Sequence, residues 1–185
     1  MSNLVYKIFY GLPLSKIIFL MIVIILAWSK FSYCFLSKSN KKRIWKLGNG
    51  ISAICMIAVI LAVTVSSRNI GTSQVQWTPF HSFVEAKIQP EIYRSMLMNV
   101  FLVFPLGLTM PHALPEKWKH NALLTIIFAC ILSIVIEYLQ YHFHLGRAET
   151  DDVICNTLGC FIGTISYMLS KKMVGKNLKI ERKYQ

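Results

Sequence analysis

ALLTIIFACILSIVIEYLQY, residues 122–141, reads as a membrane span. As a helix its twenty residues cover about 30 Å, the thickness of a bilayer's hydrocarbon core. One charge, Glu137, interrupts it. A carboxylate at that depth costs about 3 kcal/mol on insertion scales, so such residues face a partner, a cavity or a ligand. Ser133, Glu137 and Gln140 stand at i, i+4 and i+7, which places them on one helix face.

Apolar runs of similar length recur over segments 16–36, 51–66, 93–110 and 153–170. With segment 122–141 they predict an all-α membrane protein, a bundle of about five transmembrane helices forming one integral membrane domain over 1–185. Apolar residues make up 55% of the chain, and no stretch remains for a separate soluble domain. Asn99 and Pro105 interrupt the third run; a proline is tolerated in a membrane helix when neighbours satisfy the freed carbonyl, so a kinked span is expected there. The first apolar core, with Lys7 and Lys16 before it, is followed by no small-x-small cleavage site and reads as an uncleaved span.

The net charge of +12 does not form a nucleic-acid-binding stripe. It gathers in Lys38, Lys41, Lys42, Arg43 and Lys46, in Lys117 and Lys119, and in Lys171, Lys172, Lys176, Lys179, Arg182 and Lys183 of a basic tail over 171–185. The opposite connections hold only Lys7, Lys16, Arg68, Lys87, Arg94 and Arg147. By the positive-inside rule the amino terminus is expected outside and the carboxyl terminus inside. Glu85, Glu91, Glu149, Asp151 and Asp152 then all lie on the outer side, with Glu137 just beneath. Functional residues are expected at that face.

Depth groups the polar residues of the spans. Asn99 falls roughly 9 Å from the outer end of its run and Glu137 roughly 6 Å. Asp152, expected at the N-cap of the fifth helix, shares a stripe with Asn156, Gly159 and Gly163, and an antiparallel neighbour would bring Asn156 to Glu137. Asn99, Glu137, Gln140, Arg147, Asp152 and Asn156 form the candidate ligand-binding cluster. The plain structural alternatives are a helix cap at Asp152, hydrogen-bond glue at the asparagines, and pairing of Glu137 with Arg147 or Arg94. Gly159 and Gly163 form a GxxxG pair that suits close helix packing or a homo-oligomer contact.

The five cysteines sit in or beside apolar runs without CxxC spacing and read as reduced packing residues. His142 and His144 stand near several carboxylates, but in no established ligand spacing, so neither a metal site nor a cofactor is expected. Nucleophile elbow, P-loop, HExxH and dinucleotide fingerprints are absent.

Four segments line up with a known pattern: Thr78-Pro79-Phe80; Asn99-Val100-Phe101 through Pro105-Leu106-Gly107; Ser133 through Glu137 to Gln140; and Asp152-Val153-Ile154-Cys155-Asn156-Thr157-Leu158-Gly159. Over about 77–163 the chain resembles the VanZ-like family of small bacterial membrane proteins. It departs from the pattern at Gln76-Trp77, where the family often has Asn-Leu, and at Glu149, where another Asp is common. The resemblance implies a multi-pass protein of the bacterial plasma membrane, associated with low-level resistance to teicoplanin, a glycopeptide with a lipid tail. Partners in keeping with it are membrane lipids and a lipid-linked cell-wall precursor or lipoglycopeptide. A membrane-embedded hydrolase or transferase, with Glu137 as general base, is the alternative. A transporter is a third reading, disfavoured by the lack of an internal repeat.

Overall fold

The computed structural model describes residues 14–37, 39–66 and 74–181. Lys7, Lys38, Arg68, Arg182 and Lys183 of the charge count lie outside them. Helices α1 (Leu14–Leu36), α2 (Ser39–Leu61, running on as a π-turn over Ala62–Ser66), α4 (Pro90–Ala113), α5 (Asn121–His142) and α6 (Thr150–Glu181) are joined at one end by strand β1 (Gln74–Gln76), short helix α3 (His81–Glu85) and strand β2 (Arg147–Glu149). The five long helices are each long and apolar enough to cross a membrane. The protein is therefore an all-α, multi-pass bundle, with both strands confined to one end.

α4 and α6 are the central pair. About half of each span is buried inside the protein (56% and 50%), against 28%, 22% and 22% for α1, α2 and α5. One face of α4, carrying Met96, Val100, Phe104 and Leu108 at i+4 steps, packs with Met21 and Ile25 of α1 and Cys155 of α6. Its other face, with Val103 and Leu106, packs with Ala53 and Ile60 of α2, Ala129 and Ile136 of α5, and Cys160 of α6. The outward faces of α1 and α5 leave Phe19, Leu20, Leu26, Ile127, Ile131 and Ile134 exposed, which is what hydrocarbon solvent asks of a helix.

Gly107, Gly159 and Gly163 set the α4–α6 approach. A Cβ on Gly159 would overlap the Val100 carbonyl, one on Gly163 the Phe104 carbonyl, and one on Gly107 the Cys160 carbonyl. The GxxxG stripe is thus filled inside the chain by another helix of the same molecule.

The third run is one continuous helix, with Pro105 and Pro111 inside it. Thr109 Oγ1 donates to the Pro105 carbonyl at 3.0 Å, and Asn121 Nδ2 donates to the Pro111 and Pro115 carbonyls at 3.2 and 3.3 Å. The first is an i−4 side-chain bond within α4, and the second ties the start of α5 to the end of α4.

Two expectations about boundaries are corrected. Lys41, Lys42, Arg43 and Lys46 are not in a loop but in the opening turns of α2, because lysine and arginine are good helix formers whose long stems carry the charge toward water. α6 begins at Thr150 and continues through Glu181, so Asp152 is a first-turn residue rather than the N-cap, and most of the basic tail is helical.

Candidate functional site

The end of the bundle where α4 and α6 begin is closed by a small polar assembly. β1 and β2 pair in parallel, with Gln74 opposite Arg147, Val75 opposite Ala148 and Gln76 opposite Glu149. Thr150 Oγ1, one residue beyond β2, donates 3.3 Å bonds to the Gln76 and Trp77 carbonyls and carries the pairing past the end of β1.

Asp151 secures the next turn. Its carboxylate is 2% exposed and accepts the Phe80 N–H at 2.6 Å through Oδ1 and the Ser82 N–H at 2.7 Å through Oδ2. It thereby caps α3 from 69 residues away in sequence, and both bonds are charge-assisted. Phe80 needs this support, because it stands in the left-handed region at φ 64° and ψ 12°, where a bulky residue is strained.

Ser82 and Glu85 of α3 then face Arg147 and Glu149 of β2. Ser82 Oγ donates to Glu149 Oε2 at 2.8 Å. Arg147 reaches Glu149 Oε1 through Nε at 3.4 Å, Glu85 Oε2 through Nη1 at 3.5 Å and His81 Nδ1 through Nη2 at 3.4 Å. A cleft of about 230 Å³ opens among these groups, lined by Ser82, Glu85, Ser95, Arg147, Glu149 and Asp152, with Ile92 and Met96 as its apolar wall. Three carboxylates line the cleft beside one guanidinium, whose Nε, Nη1 and Nη2 face Glu149, Glu85 and His81. The lining is therefore richer in hydrogen-bond acceptors than in donors.

Of the candidate cluster, Arg147 and Asp152 line this cleft. Glu137 stands behind it: it is 8% exposed, and its Oε2 accepts the Glu149 N–H at 2.9 Å, which holds β2 against α5. Gln140 turns to the π-turn of α2, where its Nε2 donates to the Thr64 carbonyl at 3.0 Å. Asn156 Nδ2 donates to Ser133 Oγ at 2.7 Å, one turn before Glu137 on α5. Asn99 is half-buried nine residues into α4, roughly 13 Å from its start and deeper than the expected level. Gln140 and Asn156 thus tie helices together, away from the cleft.

Ser82, Glu85, His81 and Asp151 were missing from the candidates. The acidic run at 149–152 was visible, but which carboxylate turns inward depends on the parallel β1–β2 register. Sequence spacing between Asp151 and residues near position 80 carries no sign of that register. His142 stacks on Tyr138 with ring centroids 5.9 Å apart and lies among interfacial aromatics.

Five spans and a polar cleft at one bundle end define the class: a multi-pass integral membrane protein. The chain belongs to the VanZ/LLP1 family, whose model matches residues 14–171. It is similar to Protein VanZ of Enterococcus faecium, with 33% identity over 144 residues, 74% of this chain and 82% of that protein. No solved structure matches significantly. Three of the segments that carried the resemblance meet in three dimensions, Ser133 on Asn156 and Gly159 on Val100, while Phe80 and Gly107 meet Asp151 and Cys160, the residues that flank the last segment.

Proposed function

We propose that this is a VanZ-like protein of the bacterial plasma membrane, with its amino terminus outside and carboxyl terminus inside, that contributes to low-level teicoplanin resistance. The cleft at the outer end of the bundle engages a cell-envelope component, a lipid-linked cell-wall precursor or the lipoglycopeptide itself. The observation that supports this reading most is the cleft's composition: Glu85, Glu149 and Asp152 present acceptors beside the apolar wall of Ile92 and Met96. Hydroxyl, amide and amine donors of a sugar or peptide head group fit such a surface. Arg147 holds the two glutamates side by side.

One contact favours the second reading, a membrane-embedded hydrolase or transferase. Ser82 Oγ lies 2.8 Å from Glu149 Oε2, nucleophile-to-base geometry, yet Ser82 is 1% exposed and Glu149 is held by Arg147. Binding remains the better account.

Cells carrying Glu85→Gln or Asp152→Asn, at unchanged membrane levels, are expected to lose teicoplanin protection toward that of cells lacking the protein. Ser82→Ala retains it. Full protection by both carboxylate variants sinks the cleft reading. Loss in Ser82→Ala, with a mass change in a lipid-linked precursor incubated with the purified wild-type protein, moves the assignment to the enzyme.

A further inference from the structure

Segment 77–88 spends stability on displaying apolar side chains. Phe80 is held in a strained left-handed conformation by a buried carboxylate, yet its ring is 59% exposed. Trp77, Phe83, Val84 and Ile88 are exposed as well, Trp77 and Ile88 by about four-fifths (79% and 81%). α3 is two-sided: Ser82 and Glu85 turn to the cleft, while Phe83 and Val84 turn away from it.

The level of this segment decides what covers those side chains. Its backbone is bound by Thr150 and Asp151, the first two residues of the spanning helix α6. β2, which pairs with β1 immediately before the segment, is bonded to Glu137, five residues before the end of α5 and so roughly 7 Å inside that helix terminus. The segment is therefore sunk beside the ends of the spans rather than perched above them. At the same level Tyr138, Tyr141 and Phe143 are exposed at the end of α5, and aromatic rings concentrate where hydrocarbon meets head groups.

We propose that segment 77–88 is an interfacial anchor whose Trp77, Phe80, Phe83 and Ile88 side chains are embedded in the outer leaflet, so that the cleft behind it opens toward the lipid head groups. The ligand class is then a membrane-anchored amphiphile, with a donor-bearing polar head in the cleft and its chain along Phe80 and Phe83. The ligand class rests on the cleft reading above; the anchor does not. α3 works as a lip whose polar side faces the ligand head and whose apolar side faces lipid.

The test uses the full chain in bilayer nanodiscs with its four tryptophans labelled as 5-fluorotryptophan. The Trp77→Phe variant assigns the Trp77 fluorine resonance. A head-group-proximal nitroxide lipid is expected to erase that resonance at loadings where a water-soluble gadolinium chelate leaves it visible. Stronger loss to the chelate overturns the anchor, and so does persistence with both reagents, which would mean cover by protein such as a second copy. Failure of the cleft reading shows separately, as unchanged teicoplanin susceptibility in both Glu85→Gln and Asp152→Asn while the indole stays in lipid. Phe80→Ser combined with Phe83→Ser, at normal membrane levels, is expected to reduce protection; undiminished protection overturns the amphiphile assignment.

Discussion

Asp151 shows how one carboxylate can hold a functional end together. It satisfies two backbone donors of a strained turn from within the first turn of α6, where the helix N-terminus also favours negative charge. Asp151→Ala removes both bonds and leaves two N–H groups to find water, a loss of about 3 kcal/mol. The expected result is a lower melting temperature in detergent and faster tryptic cleavage at Lys87. Asp151→Asn keeps one acceptor oxygen and falls between wild type and alanine. Wild-type melting and cleavage in Asp151→Ala would remove Asp151 from this role. Glu137, the residue that made segment 122–141 conspicuous, accepts a backbone bond from β2 at 2.9 Å. Its burial was legible from its place in an apolar run. Its partner was not, because the Glu149 N–H reaches it only through the return of the chain after α5.

Among the elements, the α4–α6 crossing governs stability, because three glycines let two backbones meet without side chains between them. Gly159→Ala pushes a methyl into the Val100 carbonyl, and overpacking of this kind costs about 1–3 kcal/mol. Gly175, also in α6, has nothing within 4 Å of an added Cβ. Gly175→Ala is expected to be neutral or to stabilise by up to about 1 kcal/mol through helix propensity. Thermal melts of the two variants side by side check the pair, and equal melting points would mean that close approach at Gly159 does not matter. The GxxxG spacing was readable in sequence; that α4 fills it required the fold. Likewise Pro105 looked like a threat to the third span, yet α4 runs through it from Pro90 to Ala113.

At the scale of the whole molecule the two ends differ in chemistry. The carboxylates Glu85, Glu149, Asp151 and Asp152 gather at the strand-bearing end. The far end packs Trp28, Phe31, Phe35 and Trp45 with His112 and Tyr167, with Lys41 5.7 Å above the Phe35 ring and Lys171 5.2 Å above the Tyr167 ring. Such cations suit an inner membrane face. In a cysteine-free background, Lys87→Cys is expected to react with an impermeant maleimide in intact cells, and Lys172→Cys only after permeabilisation. The reverse pattern would invert the bundle and put the cleft inside.

The class of the protein is written in its residues: apolar length sets the number of spans, and charge distribution distinguishes the two ends, because both are local properties summed along the chain. Glu137 stands out in the same way, since one carboxylate in hydrocarbon is conspicuous without any partner in view. Which polar residues meet depends instead on the packing of the folded chain. The β1–β2 register, the strained turn at Phe80 and the inward turn of Asp151 join positions some seventy residues apart, and their hydrogen bonds leave no periodicity to read. Asn156 and Gln140 went to helix packing for the same reason, the amide nitrogen of each donating to whichever acceptor the packed backbones brought to about 3 Å.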